Sequence, residues 1–248
     1  MKVTAIKTRK FIPPKDDLLS LIRESFSNIV LKEGSVIVIT SKIVSISEGR
    51  CIKIEDKLKK PELIKKEADF YIDKNKVSGR ISTLTIKDNI LISSSGIDES
   101  NGNGYYILWP KDPFVSVKRI YKFIKKEYSL KNFAVIISDS RRTPLREGIL
   151  GVGLSYYGLE PLRDYRGKND IFDRKMNFSI TNIIDSLATA AVFVMGEGNE
   201  QTPFAIIEDI KDINFVNKDF SKSDPLKTNI KEDRYNFFLQ SNIWKKGG

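Results

Sequence analysis

The sequence predicts an α+β fold, and three observations lead to this prediction. Short apolar runs rich in β-branched residues, which are typical of buried strands, recur along the chain. Segments with apolar residues at helical spacing lie between these runs. The two kinds of element do not alternate in the regular order of βαβ units, which argues against a doubly wound sheet. Because the 248 residues contain no internal repeat and no low-complexity linker, we expect a single unit.

The individual elements follow from the spacing of apolar residues and from the glycine, proline and acidic residues that bound them. Strands are predicted at residues 35–40, 84–86, 89–93, 133–137, 148–158 and 204–207. Helices are predicted at residues 16–26, 54–73, 115–128 and 182–195. The helix at 182–195 is apolar or small nearly all round and is therefore expected to be buried. The remaining segments are a polar stretch at 41–50, a glycine- and asparagine-rich loop at 96–104, and a charged tail after residue 209 with an amphipathic piece at 235–244.

The composition limits the classes of function. No apolar stretch approaches the roughly 20 residues of a membrane span, and residues 1–6 resemble no signal peptide, so we expect a cytoplasmic protein without membrane contact. The single cysteine, Cys51, excludes an internal disulfide and is expected to be structural. The net charge of +10 arises largely from mixed-charge runs, which are usually solvated faces, so nucleic-acid binding is not expected.

The absence of histidine restricts the chemistry to carboxylates, hydroxyls, Lys, Arg and hard cations. Three acidic loops each follow an apolar element: Asp98 with Asn101, Asp139 with Ser140, and Glu197 with Glu200 and Gln201. Each loop alone is more often a turn or a cap. If the loops converge, their oxygen atoms suit one or two Mg²⁺ or Mn²⁺ ions that support phosphoryl transfer.

A group of arginines beside Asp139 favours anion binding over mere surface charge. Its members are Arg141, Arg142, Arg146, Arg163 and Arg166. No P-loop, kinase glycine loop or dinucleotide-binding motif is present, so a nucleotide would bind in a different frame. Gly196 and Gly198 would allow close approach of the backbone to a phosphate, or would simply cap the preceding helix.

Five segments, in order, resemble motifs of the coenzyme F420-0:γ-glutamyl ligase family. They are TSKIVSISEGR at 40–50, GIDESN at 96–101, DSRRTPLREG at 139–148, DYRGKND at 164–170 and MGEGNEQTP at 195–203. The resemblance covers residues 3–207 and leaves a charged C-terminal extension at 210–248. It implies an α+β fold with a mixed sheet, in an intertwined homodimer. It also implies an enzyme that joins L-glutamate to the terminal carboxylate of the phosphorylated deazaflavin F420-0 and hydrolyses GTP in doing so.

The same resemblance implies roles for individual residues. The metal ligands would be Asp98, Asp139, Ser140 and Glu197, at two Mg²⁺ or Mn²⁺ sites assisted by a monovalent cation such as K⁺. The nucleotide would contact Phe11, Ile12, Pro13, Ser41, Lys42, Asn101, Gly196, Gly198, Asn199 and Gln201. Asp139, Arg142 and Arg146 are the predicted catalytic residues, which would stabilise charge while an acyl phosphate forms and reacts with the amine.

The chain departs from the family pattern at three places. Ile46 stands where a lysine is usual, Arg142-Thr143 replaces a Gly-Arg pair, and Asp173 replaces a glycine. These departures affect the nucleotide and the acceptor more than the metal site. Three alternatives therefore stay open: a ligase acting on another phosphorylated acid, a metal-dependent phosphatase or nucleotidase, and a nucleotide-binding protein without catalysis.

Overall fold

The structure is a computed structural model that describes residues 1–55, 59–73 and 83–248. The strands in this part of the chain are β1 Lys2–Ile6, β2 Val36–Thr40, β3 Cys51–Lys53, β4 Phe70–Ile72, β5 Leu84–Lys87, β6 Ile90–Ser93, β7 Tyr105–Ile107, β8 Ala134–Arg141, β9 Leu150–Tyr157, β10 Leu162–Asp164, β11 Ile180–Asn182, β12 Phe204–Glu208 and β13 Trp244–Lys246. The helices are α1 Leu18–Phe26, α2 Ser41–Ser47, α3 Lys60–Glu67, α4 Pro113–Glu127, α5 Ile183–Met195 and α6 Asn236–Leu239.

A mixed sheet forms the centre of the described structure, with the strand order β1-β12-β2-β8-β9. Only β2 and β8 run parallel within it. The side chains of β2 alternate between two cores: Ile37 and Ile39 join the cluster that contains α1 and α4, whereas Val36 and Val38 join the cluster that contains α5. Both faces of the sheet are thus covered, and the predicted α+β fold with a mixed sheet is confirmed. The intertwined homodimer stays a prediction.

Three predicted helices are confirmed, and each begins at a polar cap. Asp17 accepts hydrogen bonds from the N–H groups of the first turn of α1, Asp112 accepts one from Val115 in α4, and Asn182 accepts one from Asp185 in α5. The prediction that α5 is buried holds for one face only, because the Phe193 side chain on the other face is 86% exposed.

Two segments differ from the sequence prediction. Within the polar stretch 41–50, helix α2 forms because Ile43, Val44 and Ile46 turn toward the protein interior. Of the helix predicted at 54–73, only Lys60–Glu67 is helical; the last part of the prediction is wrong, because the chain forms β4 there between β5 and β13. The partner β13 lies far away in sequence, so local spacing could not reveal this pairing. Residues 56–58 of the predicted helix lie outside the described residues.

The charged tail packs against the core. Phe215 and Val216 lie against the α5 side of the central sheet, Phe220 is buried there, and the Tyr156 hydroxyl donates to Asp224 Oδ1 at 2.7 Å. The tail ends by adding β13 to the sheet β13-β4-β5-β6. Among the residues that the structure describes, no helix is long and apolar enough to cross a membrane.

Candidate active site

A cavity of about 630 Å³ lies where the parallel pairing of β2 with β8 ends, at Thr40 and Ser138. Crevices outside the carboxyl ends of parallel strands are common binding sites because loops diverge there. Thr40 and Ser138 bring the two strands to the cavity, and the loop after α5 closes another side. Most of the predicted site residues line it: Phe11, Ile12, Pro13, Lys42, Asp98, Asn101, Asp139, Ser140, Gly196, Glu197, Gly198, Asn199 and Gln201.

Asp139 lies within β8 rather than after it. The strand continues to Arg141 beyond an irregularity in its pairing with β9 at Ile137 and Ser138. One oxygen of Asp139, Oδ1, accepts the Ser140 backbone N–H at 2.8 Å, and Oδ2 accepts the indole N–H of Trp109. Burial raises the pKa of Asp139 to about 7, and the negative charge of Asp98 adds to the rise. A divalent cation would relieve this unfavourable concentration of negative charge.

Asp98 reaches the cavity from the loop that follows β6, where its backbone forms an isolated antiparallel bridge with Ile107. Lys42, in the first turn of α2, lies with Nζ 3.1 Å from Asp98 Oδ2 and donates to the Ser100 carbonyl at 3.2 Å. An ammonium group therefore pairs with Asp98 at the cavity, and such a group suits a phosphate ligand.

Glu197 belongs to the loop that begins where α5 ends at Gly196, whose φ is +74°. The Ser140 hydroxyl donates to Glu197 Oε2 at 3.4 Å, and burial raises the pKa of Glu197, with the charge of Asp98 contributing. The Asn101 side chain donates to the Gly198 carbonyl at 2.8 Å. The loop of Asp98 and the loop of Glu197 are thus joined directly, and Asp139 is linked to them through the neighbouring Ser140.

The donor set fits a magnesium or manganese ion bound together with phosphates. Within residues 1–55, 59–73 and 83–248, no three acidic or cysteine side chains are grouped closely enough to hold a metal by themselves. Mg²⁺ is usually held by one or two carboxylates, with substrate phosphates and waters completing its shell. Asp98, Asp139, Ser140 and Glu197 supply only oxygen atoms, as such a hard cation requires.

The N-terminal segment contributes Phe11, Ile12 and Pro13 to the wall of the cavity. It is tied to the loop after α5 by a hydrogen bond from the Thr8 N–H to the Gln201 carbonyl at 2.9 Å. Ser41, in contrast, is buried at the start of α2 and does not line the cavity. Its predicted contact with a nucleotide stays a prediction.

Arg142 and Arg146 do not reach the cavity in the single chain. Both lie on the exposed loop between β8 and β9, where Arg142 is 3.5 Å from Glu147. Their catalytic role stays a prediction. Two other arginines of the predicted anion-binding group pair within the protein: Arg141 with Asp185 at 3.2 Å, and Arg166 with Asp164 at 2.6 Å. Arg163 donates to the Asp212 carbonyl, so the structure does not gather the five arginines around one anion.

Sequence reasoning missed Trp109, whose indole group contacts Asp139. The residue follows an apolar strand and resembles any core tryptophan, so no pattern in the sequence connects it with a residue 30 positions later. Ile46, noted as a departure from the family, lines the cavity although its side chain is 2% exposed.

Comparison with known proteins identifies the family. The sequence profile of F420-0:Gamma-glutamyl ligase matches residues 6–209. A coenzyme F420:L-glutamate ligase of Methanopyrus kandleri is 29% identical over 228 residues, covering 85% of this chain and 88% of that relative. Enzymes of the same name from Methanococcus maripaludis and Halorubrum lacusprofundi are 33% and 31% identical, over 75% and 84% of this chain and 80% and 87% of their own. The chain belongs to the F420-0:gamma-glutamyl ligase family.

Proposed function

We propose that this protein is a GTP- and divalent-metal-dependent ligase that joins L-glutamate to the terminal carboxylate of coenzyme F420-0. The observation that carries the proposal is the convergence of Asp98, Asp139 and Glu197 on one cavity, in a member of this family. The cavity combines acidic groups for a metal with Lys42 and exposed backbone for phosphates, and its volume of about 630 Å³ suits a nucleotide-sized ligand.

The proposed reaction has two steps. A carboxylate oxygen of F420-0 attacks the γ-phosphorus of GTP, which forms an acyl phosphate and releases GDP. The deprotonated amine of glutamate then attacks the acyl carbon, forms the amide and expels inorganic phosphate. Divalent ions held by Asp98 and Asp139 at one site, and by Ser140 and Glu197 at a second, would neutralise phosphate charge.

Within the chain, the side chains around the cavity orient the reactants rather than exchange protons. Lys42 can transfer its contact from Asp98 to a phosphate oxygen once a metal neutralises that carboxylate. Asn101 holds the loop that contains Gly198 against the loop that contains Asp98. This division of roles agrees with the absence of histidine, because phosphoryl transfer depends chiefly on positioning and electrostatics.

A second candidate is a ligase of the same kind that acts on a different phosphorylated acid. Ile46 supports it, because this residue places an aliphatic side chain on the cavity wall where the family usually has a lysine. Loss of one positive charge there would change how the wall receives a nucleotide or an anionic acceptor.

The direct test is mass spectrometry of the products formed from F420-0, L-glutamate, GTP and Mn²⁺ or Mg²⁺. We expect a product heavier by one glutamyl residue that requires both the metal and GTP. Phosphate release without any need for glutamate would instead indicate a phosphatase. Protection against heat by GTP and metal together, without product from F420-0, would favour the second candidate.

Substitution of Asp139 tests the assignment of the site. Asp139→Asn removes a charged ligand, so we expect metal-dependent GTP binding, measured by calorimetry, to weaken about a hundredfold or more. Its thermal midpoint without metal is measured as well, because Asn removes a buried charge but offers a single acceptor oxygen to the N–H groups of Ser140 and Trp109. Asp212→Asn, at an exposed position outside the five motifs and the cavity lining, is the matched control. Equal binding by both variants would exclude Asp139 from the site.

A further inference from the structure

We propose that Trp109 is a positioning residue of this site, which holds the Asp139 carboxylate in the orientation that receives the metal. The inference rests on the proposed function, since it concerns the metal of that reaction. Its starting point is the contact between the indole N–H of Trp109 and Asp139 Oδ2. The indole group only donates, so it requires an acceptor oxygen at this place.

Both oxygens of Asp139 are engaged, each by one N–H group. Oδ1 accepts the backbone N–H of Ser140 at 2.8 Å, and Oδ2 accepts the indole N–H. The carboxylate cannot rotate about its Cβ–Cγ bond without breaking these contacts, and each oxygen retains lone pairs for a cation. Donors of this kind orient metal-binding carboxylates in other proteins and strengthen metal binding.

Trp109 is itself held firmly, which a positioning role requires. Its side chain is 1% exposed, and its backbone carbonyl accepts the Nε–H of Arg50 at 3.0 Å. Lys87 Nζ lies 5.7 Å from the centroid of the indole ring. Glu67 joins these two cations, because its Oε2 accepts from Arg50 Nη2 at 2.8 Å and from Lys87 Nζ at 2.5 Å. The ion pairs of Glu67 with Arg50 and Lys87 thus hold the tryptophan in place.

Trp109 also contacts the start of the loop that carries Asp98. A Cβ atom added to Gly96 would lie 2.0 Å from the indole Nε1, so the ring edge fills the space that the glycine leaves open. The indole therefore lies between the backbone near Asp98 and the side chain of Asp139. One rigid group contacts two of the acidic elements, and this sets their relative position.

The first experiment measures Mn²⁺ binding by calorimetry, with GDP present to supply phosphates, in wild type, Trp109→Phe and Trp244→Phe. Trp244 is the other tryptophan of the chain, and its indole N–H donates to the Phe238 carbonyl at 3.0 Å. We expect Trp109→Phe to weaken Mn²⁺ binding roughly 10–100-fold, because the carboxylate loses an orienting donor while an aromatic ring still fills the core. Trp244→Phe should bind Mn²⁺ as wild type does.

The second experiment leaves Trp109 intact and so does not depend on how the substituted protein folds. In protein labelled with ¹⁵N at the indole nitrogen, the two N–H signals are assigned with Trp244→Phe and followed by NMR during addition of Mg²⁺ in the presence of GDP. We expect the Trp109 signal to shift and to saturate with metal binding, while the Trp244 signal stays in place. In Asp139→Asn the Mg²⁺-dependent shift should be absent.

The outcomes separate the two proposals. If wild type forms the glutamyl product and binds Mn²⁺, but Trp109→Phe binds it equally well or the Trp109 signal ignores Mg²⁺, the positioning role is overturned and the ligase proposal stands. If wild type binds neither ion and forms no product, the ligase proposal fails and the positioning role fails with it.

Discussion

One ion pair organises the N-terminal wall of the cavity. Arg9 contacts both oxygens of Asp16, with Nη1 2.7 Å from Oδ2 and Nη2 2.9 Å from Oδ1. Asp16 Oδ2 also accepts the backbone N–H of Ile12 at 3.0 Å. The pair therefore closes the segment that presents Phe11 and Pro13 to the cavity. Two parallel hydrogen bonds between an arginine and a carboxylate fix their geometry more firmly than one hydrogen bond does.

This ion pair should make stability depend on acid pH. The hydrogen bond from Arg9 lowers the pKa of Asp16 from the usual 3.8 to about 2. Because the folded-state pKa is depressed, the stabilisation is present above pH 3.8 and is lost as the pH falls through about 2. We expect the pair to contribute about 1 kcal/mol to the free energy of unfolding, since Arg9 is partly exposed and solvent screens the pair. Urea unfolding of wild type and Asp16→Asn between pH 2 and 6 measures this contribution. A difference in the free energy of unfolding between the two proteins that is constant with pH would refute the prediction.

At the scale of elements, close packing of α5 against β9 brings the acidic loops together. Gly151 lies opposite Ser140 in the sheet, and a Cβ atom added to it would lie 2.4 Å from the Ala188 carbonyl oxygen. The Thr189 hydroxyl donates to the Gly151 carbonyl at 3.0 Å. Glycine is therefore required for the helix to approach the strand, and the end of α5 thereby brings Glu197 within reach of Ser140.

Gly151→Ala should disturb this packing. The added methyl group meets helix backbone rather than a movable side chain, so we expect a loss of about 1–3 kcal/mol in the free energy of unfolding. Binding of Mn²⁺ should weaken as well, because Ser140 lies opposite the substituted position. Leu150→Ala is the control on the same strand, since Leu150 is 45% exposed and its truncation should change stability by at most about 0.5 kcal/mol. Equal stability of the two variants would contradict the packing argument.

At the scale of the whole molecule, the charged tail completes the fold. Phe220 is 2% exposed in the core on the α5 side of the central sheet, where it packs near the Tyr156 ring at a centroid distance of 5.4 Å. The tail then crosses to the smaller sheet, where β13 pairs with β4. One continuous segment therefore links the central sheet with the sheet β13-β4-β5-β6. The latter sheet carries Lys87, which lies against the ring of Trp109.

Phe220→Ala should be strongly destabilising although the residue lies outside the motifs that define the family. Removing a buried aromatic side chain costs about 3–5 kcal/mol in the free energy of unfolding. Phe237→Ala, at a position 77% exposed in the same tail, should change stability by at most about 0.5 kcal/mol. Guanidinium unfolding of both variants tests this. Similar stability of the two would mean that the tail contributes little to the core.

Much of the fold could be predicted from local sequence. The amphipathic spacing of α1 and α4 and the apolar runs of β2 and β8 are local properties, because side-chain direction repeats within a few residues. The pairing of β4 with β13 could not be predicted in this way. Residues 70 and 246 are far apart in the sequence and meet only in the tertiary structure, and no short-range pattern reports such a contact.

For the candidate site, too, one part could be predicted from the sequence and another part could not. The sequence by itself determined which chemistry is available, because the absence of histidine and the three acidic loops point to oxygen ligands and phosphates. Only the tertiary structure decided that Asp98, Asp139 and Glu197 share one cavity, that Trp109 holds Asp139, and that Arg142 and Arg146 lie outside. Residue type is encoded at each position, whereas convergence depends on the packing of strands and helices that are distant in sequence.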